Sequence, residues 1–182
     1  MDAFEDVVAS FLRNRGYWVE SCFKVKLEKA EKVAIGRACS PRWELDLLAY
    51  RARENELLVI ECKSFLDSTG VSVSSFGENL KPDRYKLFNE PKLREVVFSR
   101  LAKQLEERGA ILPNPQMQLC LAAGRIKSKR DREALHVMFS DRGWRLFDEA
   151  WLHEEMLALS KESYQNSVTS VVAKLLLRAR DV

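Results

Sequence analysis

The chain of 182 residues contains few of the residues that break regular structure, with only 7 glycines and 5 prolines. It has no apolar run long enough to cross a bilayer, so a membrane partner is not expected. It has two histidines and four cysteines, and no two cysteines form a Cys-x-x-Cys pair. A zinc site is therefore not expected, and free thiols in a reducing cytoplasm are the simpler interpretation of Cys22, Cys39, Cys62 and Cys120.

The remaining composition is that of a globular protein, with 46% hydrophobic and 31% charged residues. The length fits one domain with a sizeable core. A net charge of +3 gives a mild bias towards polyanions. The first residues are acidic and the next are basic, which is the reverse of a secretory signal. We therefore interpret the start of the chain as the first helix of the mature fold.

Apolar spacing predicts one α/β fold, with a mixed central sheet flanked by helices. The first predicted helix has Asp2 as its N-cap and Gly16 just past its end. The other predicted helices are 92–109, 129–141 with Ser128 as its cap, 150–161 and 165–180. The predicted strands are 17–28, 42–51, 57–64, 117–124 and 143–149. Residues 1–149 are expected to form the core, and the helices of 150–182 to pack on the same domain.

The sequence also gives predictions for two connecting segments and for one face of the last helix. Residues 29–41 are predicted to be a loop ending at Pro41. The long polar segment 65–91 is predicted to be an insertion that is functional or mobile. The last helix has an apolar stripe, which is expected to pack into the core. That stripe consists of Val168, Val171, Val172, Leu175, Leu176 and Ala179.

Acidic and basic side chains interrupt the apolar pattern of two neighbouring strands. Alternation along a strand puts Glu44 and Asp46 on one face of the first, opposite Leu45 and Leu47. It puts Glu61 and Lys63 on one face of the second. If the two strands form a hairpin, Asp46 lies beside Glu61 and Lys63. A solvated cross-strand pair remains the alternative for Glu61 and Lys63.

Two carboxylates placed this close repel each other, and a divalent cation removes that repulsion. Mg²⁺ takes oxygen ligands, often one or two carboxylates with water and phosphate oxygens, and Mn²⁺ is a common substitute. Such an ion can lower the pKa of a bound water and neutralise charge on a phosphoryl group. Lys63 would hold or deprotonate that water, or stabilise the negative charge that develops.

Three stretches together, EDVVASFLRNRGY (5–17), ELDLLAY (44–50) and LLVIECKS (57–64), resemble the PD-(D/E)xK nuclease superfamily, which has the restriction-endonuclease-like fold. They are especially similar to archaeal Holliday-junction resolvases and related small bacterial members. The resemblance covers residues 2–124 and implies an αβββαβ core. It also implies a metal-dependent phosphodiesterase that cleaves nucleic acid, most readily a DNA endonuclease.

The resemblance implies a role for each matching residue. Asp46 and Glu61 would bind Mg²⁺, the backbone carbonyl of Cys62 would be a third ligand, and Lys63 would be the catalytic lysine. Glu5 matches a first-helix glutamate that many members place near the metal. It also completes a capping box with Asp2, so both interpretations stay open.

Gln104 matches a helix position from which many members direct a Gln or Lys at the site. An ordinary exposed polar residue is the alternative. The chain departs from the family pattern at Leu45, where the motif name has proline. It also departs in the length of segment 65–91, which puts the substrate class in doubt.

Basic residues that could hold phosphates cluster in two places. One cluster follows the strand 117–124 and opens the next helix, whose amides could help to bind phosphate. The other lies in segment 65–91, where Tyr85 could stack on a base. Solvated helix faces are the alternative interpretation. The candidates are Arg125, Lys127, Lys129, Arg130, Arg84 and Lys86.

Two other functions fit the same residues. One is a catalytically inactive nucleic-acid-binding or scaffold module of the same fold. The other is an unrelated α/β protein in which Glu61 and Lys63 are a surface pair. The choices between DNA and RNA, between duplex, junction and single strand, and between endonuclease and exonuclease stay open. A homodimer would suit cleavage of two strands.

Overall fold

The computed structural model describes residues 2–37, 42–77 and 84–177. Cys39, Pro41 and Ala179 lie outside the described residues, as do 78–83 of the long segment. The helices are α1 (Ala3–Asn14), α2 (Lys29–Ala34), α3 (Lys86–Asn89), α4 (Pro91–Glu107), α5 (Lys129–Asp141), α6 (Glu149–Lys161) and α7 (Val168–Leu177). The strands are β1 (Trp18–Val25), β2 (Trp43–Arg51), β3 (Glu56–Lys63), β4 (Gln116–Ala123) and β5 (Arg145–Phe147).

Within the described residues the strands form one mixed sheet in the order β1-β2-β3-β4-β5. β1, β2 and β3 are antiparallel neighbours, and the predicted β2–β3 hairpin is confirmed. β4 runs parallel to β3, and β5 runs parallel to β4. The predicted α/β class, with helices on a mixed sheet and further helices towards the C-terminus, is therefore confirmed.

The central strand β3 is buried on both faces of the sheet. Leu58 and Ile60 pack in one apolar layer with residues of α1 such as Val8. Leu57 and Val59 pack in the opposite layer, with residues of α4 and α5. Because both faces are covered, a charged side chain on this strand can reach water only near the strand's end.

The described part of segment 65–91 is less polar in its packing than the sequence suggested, whereas its predicted functional or mobile character stays a prediction. Phe76, Tyr85 and Phe88 are buried in the same layer as Val59. The rings of Phe76 and Tyr85 lie 4.6 Å apart, and those of Phe76 and Phe88 lie 5.5 Å apart. Its apolar residues follow neither a helical nor a strand period over the whole segment, so the sequence pattern did not reveal their burial.

The predicted loop 29–41 contains the short helix α2. Glu28 and Glu31 form a capping box at its start, which the sequence pattern did not reveal. Arg100 of α4 makes ion pairs with Glu28 at 2.5 Å and Glu31 at 2.9 Å. The expectation of an irregular loop was wrong here because a distant arginine stabilises this turn of helix.

The prediction that the apolar stripe of α7 packs into the core is wrong. Val168, Val172, Leu175 and Leu176 are exposed. The buried residues of α7 are instead Thr169, Ser170 and Ala173. The small face of the helix thus packs inwards, and α6 is the neighbour it contacts most. In the part of the chain that the structure describes, no helix is both long and apolar enough to span a membrane.

Candidate active site

Asp46 lies where the β2–β3 hairpin stops being paired. The last residue pair of that ladder is Leu47 with Ile60. One residue further along, the Oδ2 atom of Asp46 accepts a 2.8 Å hydrogen bond from the backbone N–H of Cys62. The carboxylate therefore takes the place of a ladder partner, and it holds Asp46 against the strand that carries Glu61 and Lys63.

The alternation of faces along β2 shifts at the same residue. Leu45 and Leu48 pack in one apolar layer, whereas Leu47 packs in the other. The prediction that Leu45 and Leu47 share a face is therefore wrong. On the neighbouring strand, Cys22 has a φ of +54°, which a residue with a side chain seldom adopts. The shift of faces in β2 and the positive φ of Cys22 in β1 thus occur where the Asp46 side chain points towards β3.

Glu61 and Lys63 form an ion pair on one face of β3, as predicted from their spacing. The Nζ atom of Lys63 lies 2.5 Å from Oε1 of Glu61, and their side chains are 22% and 26% exposed. Solvated surface pairs are more exposed than this, so the burial argues against the surface-pair interpretation.

The electrostatics connect Asp46 to this pair. Burial raises the pKa of Asp46 to about 6, and the negative charge of Glu61 adds to the shift. The hydrogen bond from Cys62 and the charge of Lys63 act in the opposite direction. Burial lowers the pKa of Lys63, but the charges of Glu61 and Asp46 outweigh burial and raise it overall. Lys63 is therefore protonated at neutral pH.

Glu5 forms the predicted capping box, while its role near a metal stays a prediction. The backbone N–H of Asp2 donates to Glu5 at 3.0 Å, and the backbone N–H of Glu5 donates to Asp2 at 2.9 Å, so the capping box is present. The charge of Glu5 also contributes to raising the pKa of Asp46. The first turn of α1 is thus within electrostatic reach of the site.

The donor set suits a hard divalent cation. Asp46 and Glu61 offer carboxylate oxygens, and the carbonyl of Cys62 lies between Glu61 and Lys63 in the chain. Burial raises the pKa of Asp46 most, and the repulsion from Glu61 that adds to the shift is the kind that a cation relieves. Across the described residues, however, no three His, Cys, Asp or Glu side chains are already grouped as a metal site. Any ion would thus rely on water or substrate oxygens as well.

Gln104 does not take the expected place in the site. Its Oε1 atom accepts from the backbone N–H of Lys26 at 3.0 Å, and its Nε2 atom donates to the carbonyl of Lys24 at 3.2 Å. The side chain is buried and joins α4 to the end of β1. Its polar groups therefore satisfy backbone groups rather than facing Asp46.

Two of the predicted phosphate-binding cations, Arg125 and Lys127, follow β4, and two others, Lys129 and Arg130, begin α5. Because β3 and β4 are parallel with Lys63 opposite Ala123, the residues after β4 leave the sheet at the edge where β3 ends. The side chains of Arg125, Lys127, Lys129 and Arg130 are exposed there. Arg84 is exposed and lies 5.7 Å from the ring of Phe65, two residues after Lys63, whereas Lys86 is partly buried.

The structure contradicts one expectation about this surface and places an opposing negative charge at the site of another. Ser128 caps α5 as predicted, but Asp131 also lies at the helix start and accepts from Ser72 and the backbone of Val73. The hydrogen bond from the Ser128 side chain, together with those from Val73 and Ser72, lowers the pKa of Asp131 to about 2. Asp131 therefore carries a negative charge that opposes a phosphate at the start of α5. Tyr85 is buried against Phe76 and cannot stack on a base.

Gly124 is a feature of this edge that the sequence reasoning missed. Its backbone N–H donates to the carbonyl of Lys63 at 2.9 Å. A Cβ atom there would collide with the carbonyl oxygen of Ser64. A glycine directly after the apolar run of β4 was the available signal for this close approach.

No family model matches the chain, and no curated protein is similar to it. Among solved structures, the chain is similar to the crystal structure of the protein of unknown function AF1548, with a TM-score of 0.42 and 14% sequence identity. The match covers 98% of this chain and 78% of that one. A likeness this distant does not bear on function.

Proposed function

We propose that this chain is a metal-dependent nuclease of the PD-(D/E)xK type, with DNA as the favoured substrate and internal cleavage as the favoured reaction. The observation that carries the proposal is the meeting of Asp46, Glu61 and Lys63 in one partly buried site. Exposed cations at the same edge of the sheet support it. The free thiols of Cys62 and Cys120 suit a reducing cytoplasm, where we place the protein.

Asp46 and Glu61 would hold Mg²⁺ or Mn²⁺, with the carbonyl of Cys62 as a third ligand and Glu5 acting from outside this set. When bound, the ion would supply an acidified water and neutralise phosphate charge. Without a metal ion the charges of Glu61 and Asp46 raise the pKa of Lys63, so we propose that Lys63 acts as a hydrogen-bond donor and positive charge. In that role it positions the attacking water or stabilises the oxygens of the phosphoryl group.

The basic residues hold the substrate through its backbone. Arg125 and Lys127 follow β4 at the edge where β3 ends, Lys129 and Arg130 begin α5, and Arg84 lies 5.7 Å from the ring of Phe65. Contacts with phosphates fix the position of a nucleic acid without reading its sequence. We therefore expect sequence-tolerant binding that weakens steeply with salt.

A binding module without activity is the second candidate. It is favoured by the Lys63–Glu61 ion pair and by the absence of a ready three-donor metal group in the described residues. Such a module would bind nucleic acid without metal and would not cut it. The two candidates thus differ in whether the protein cleaves nucleic acid when a metal ion is present.

Cleavage of a mixed panel separates them. The panel holds duplex, forked, junction and single-stranded DNA with matching RNA, each incubated with Mg²⁺ or Mn²⁺. We expect metal-dependent cutting that falls about a hundredfold or more in Lys63→Ala. Lys92→Ala is the matched control, because Lys92 is exposed and its ion pair is with Glu95 of the same helix. Circular dichroism checks that both variants are folded.

Each result has one meaning. Metal-dependent cutting that Lys63→Ala removes and Lys92→Ala keeps supports the nuclease. Binding without cutting by the wild type supports the binding module. If wild type neither cuts nor binds any member of the panel, both candidates are wrong.

A further inference from the structure

A loop projects from the sheet immediately after Lys63. β3 and β4 pair up to Lys63 opposite Ala123, and pairing resumes at Val71 opposite Ile126. On the β4 side only residues 124–125 separate these two points, whereas residues 64–70 separate them on the β3 side. The excess chain must therefore bulge away from the sheet, and we name it the 64–70 loop.

Both ends of the 64–70 loop are fixed. Gly124 donates to the carbonyl of Lys63 at one end. At the other end Val71 donates to the carbonyl of Arg125, and Lys127 donates to the carbonyl of Val71, each at 2.9 Å. The loop thus keeps a set position relative to Lys63 and to the cations of the neighbouring strand.

The loop also has a tight turn that exposes an apolar side chain. The backbone N–H of Ser68 donates to the carbonyl of Phe65 at 3.1 Å, and Phe65 has a φ of +44°. Leu66 lies inside this turn and is 62% exposed. Single exposed leucines are common in proteins, but this one is held three residues from Lys63.

Two arginines lie beside the 64–70 loop, which carries this leucine. Arg84 lies 5.7 Å from the ring of the preceding Phe65, and Arg125 follows the anchor at Gly124. Phosphates that bind these arginines would bring the sugars and bases of the same strand towards Leu66. The faces of bases are the apolar part of a nucleic acid, and they are accessible where stacking is broken.

We propose that Leu66 contacts the face of an unstacked base next to the cleaved phosphate, so that the preferred substrate carries unpaired bases beside a duplex. This rests on the proposed nuclease function and adds the substrate class to it. An intact duplex would have to be unstacked before Leu66 could make this contact, whereas a fork already presents the base. Leu66 therefore sets a preference for forked over fully paired DNA.

Binding tests this preference without requiring cleavage. A blunt duplex and a fork of the same sequence and nucleotide number are titrated in EDTA, with fluorescence anisotropy as the readout. We expect wild type to bind the fork about tenfold more tightly, and Leu66→Gln to lose most of that difference while binding the blunt duplex as wild type does. Leu112→Gln is the control, because Leu112 is also exposed but lies before β4 rather than after it.

The outcomes separate this inference from the function on which it rests. Equal binding of fork and duplex by wild type overturns the inference, as does a fork preference that Leu66→Gln retains. Equal loss on both substrates in Leu66→Gln also overturns it. Cleavage of the same two substrates with Mg²⁺ is measured separately, so a nuclease that cuts both at one rate keeps its function and loses this inference.

Discussion

The carboxylate of Asp46 accepts the backbone N–H of Cys62 at 2.8 Å, at the point where the ladder between β2 and β3 has ended. The Asp46 side chain thus replaces a ladder partner at the end of the β2–β3 pairing, and it places a negative charge close to Glu61. Asp46→Asn retains a side-chain oxygen for the Cys62 bond and removes the charge. It is therefore the substitution that separates the electrostatic role of Asp46 from its structural one.

The charge of Asp46 is expected to destabilise the metal-free fold at neutral pH. The pKa of Asp46 is about 6 in the folded protein against an ordinary 3.8, so the fold binds its proton more tightly than the unfolded chain does. The resulting stabilisation is full below about pH 4 and is lost as the pH rises through about 6. We expect the unfolding free energy of wild type, relative to Asp46→Asn, to fall by roughly 1–2 kcal/mol across that range.

Urea denaturation in EDTA at several pH values between 4 and 7 measures this difference. The Asn variant removes the titration of Asp46, so subtraction isolates that carboxylate together with its coupling to its charged neighbours. A difference that stays flat with pH, or one that rises, would show that the burial of Asp46 does not have this effect.

Gly124→Ala should separate the ends of β3 and β4. The added Cβ meets the carbonyl oxygen of Ser64, a backbone atom that cannot rotate away. We expect a loss of about 1–3 kcal/mol in unfolding free energy and lower cleavage, because Lys63 ends the displaced strand. Gly109→Ala is the comparison: it meets nothing within 4 Å, and its φ of +66° causes backbone strain instead. If Gly124→Ala is no less stable than Gly109→Ala, the close approach does not constrain this edge.

Gln104→Ala should affect stability rather than chemistry. The substitution removes the partners of the Lys26 N–H and the Lys24 carbonyl, at a cost of about 1–3 kcal/mol in unfolding free energy. Urea denaturation measures that loss, and kcat is measured below the temperature at which the variant unfolds. If Gln104→Ala lowers kcat while the unfolding free energy is unchanged, Gln104 acts in the active site, as the sequence resemblance implied, and its structural role is wrong.

The exposed cations should give nucleic-acid binding a strong salt dependence. Arg125→Ala removes one contact with phosphate, so the slope of log K against log salt should become shallower by about 0.9 for duplex DNA. Arg53→Ala is the control, because Arg53 is exposed in the turn between β2 and β3, at the other end of β3. The comparison uses binding isotherms in EDTA between low and moderate salt. Identical slopes in wild type and Arg125→Ala would place this arginine outside the interface.

Local patterns were sufficient to predict the parts of the fold that local forces decide. Asp2 with Glu5 predicted the start of α1, and the alternation around Glu61 and Lys63 predicted their shared face. The shift of faces at Asp46 was missed because it accompanies an irregularity at Cys22 of the neighbouring strand, which alternation along β2 alone does not contain. The exposed apolar face of α7 and the burial of Tyr85 were missed for a similar reason. Packing against segments that are distant in sequence decides which face of a helix is buried. The sequence of the helix alone does not contain that information.

Cleavage of labelled DNA across a Mn²⁺ titration, with wild type and Asp46→Asn side by side, tests the metal-dependent nuclease most directly. Asp141→Asn serves as the matched control, since Asp141 is exposed at the end of α5. We expect the wild-type and Asp141→Asn rates to rise with Mn²⁺ to a plateau, and the Asp46→Asn rate to stay about a hundredfold or more below them. An Asp46→Asn protein that cuts at the wild-type rate, or a wild type that cuts equally well in EDTA, would contradict the metal centre at Asp46 and Glu61.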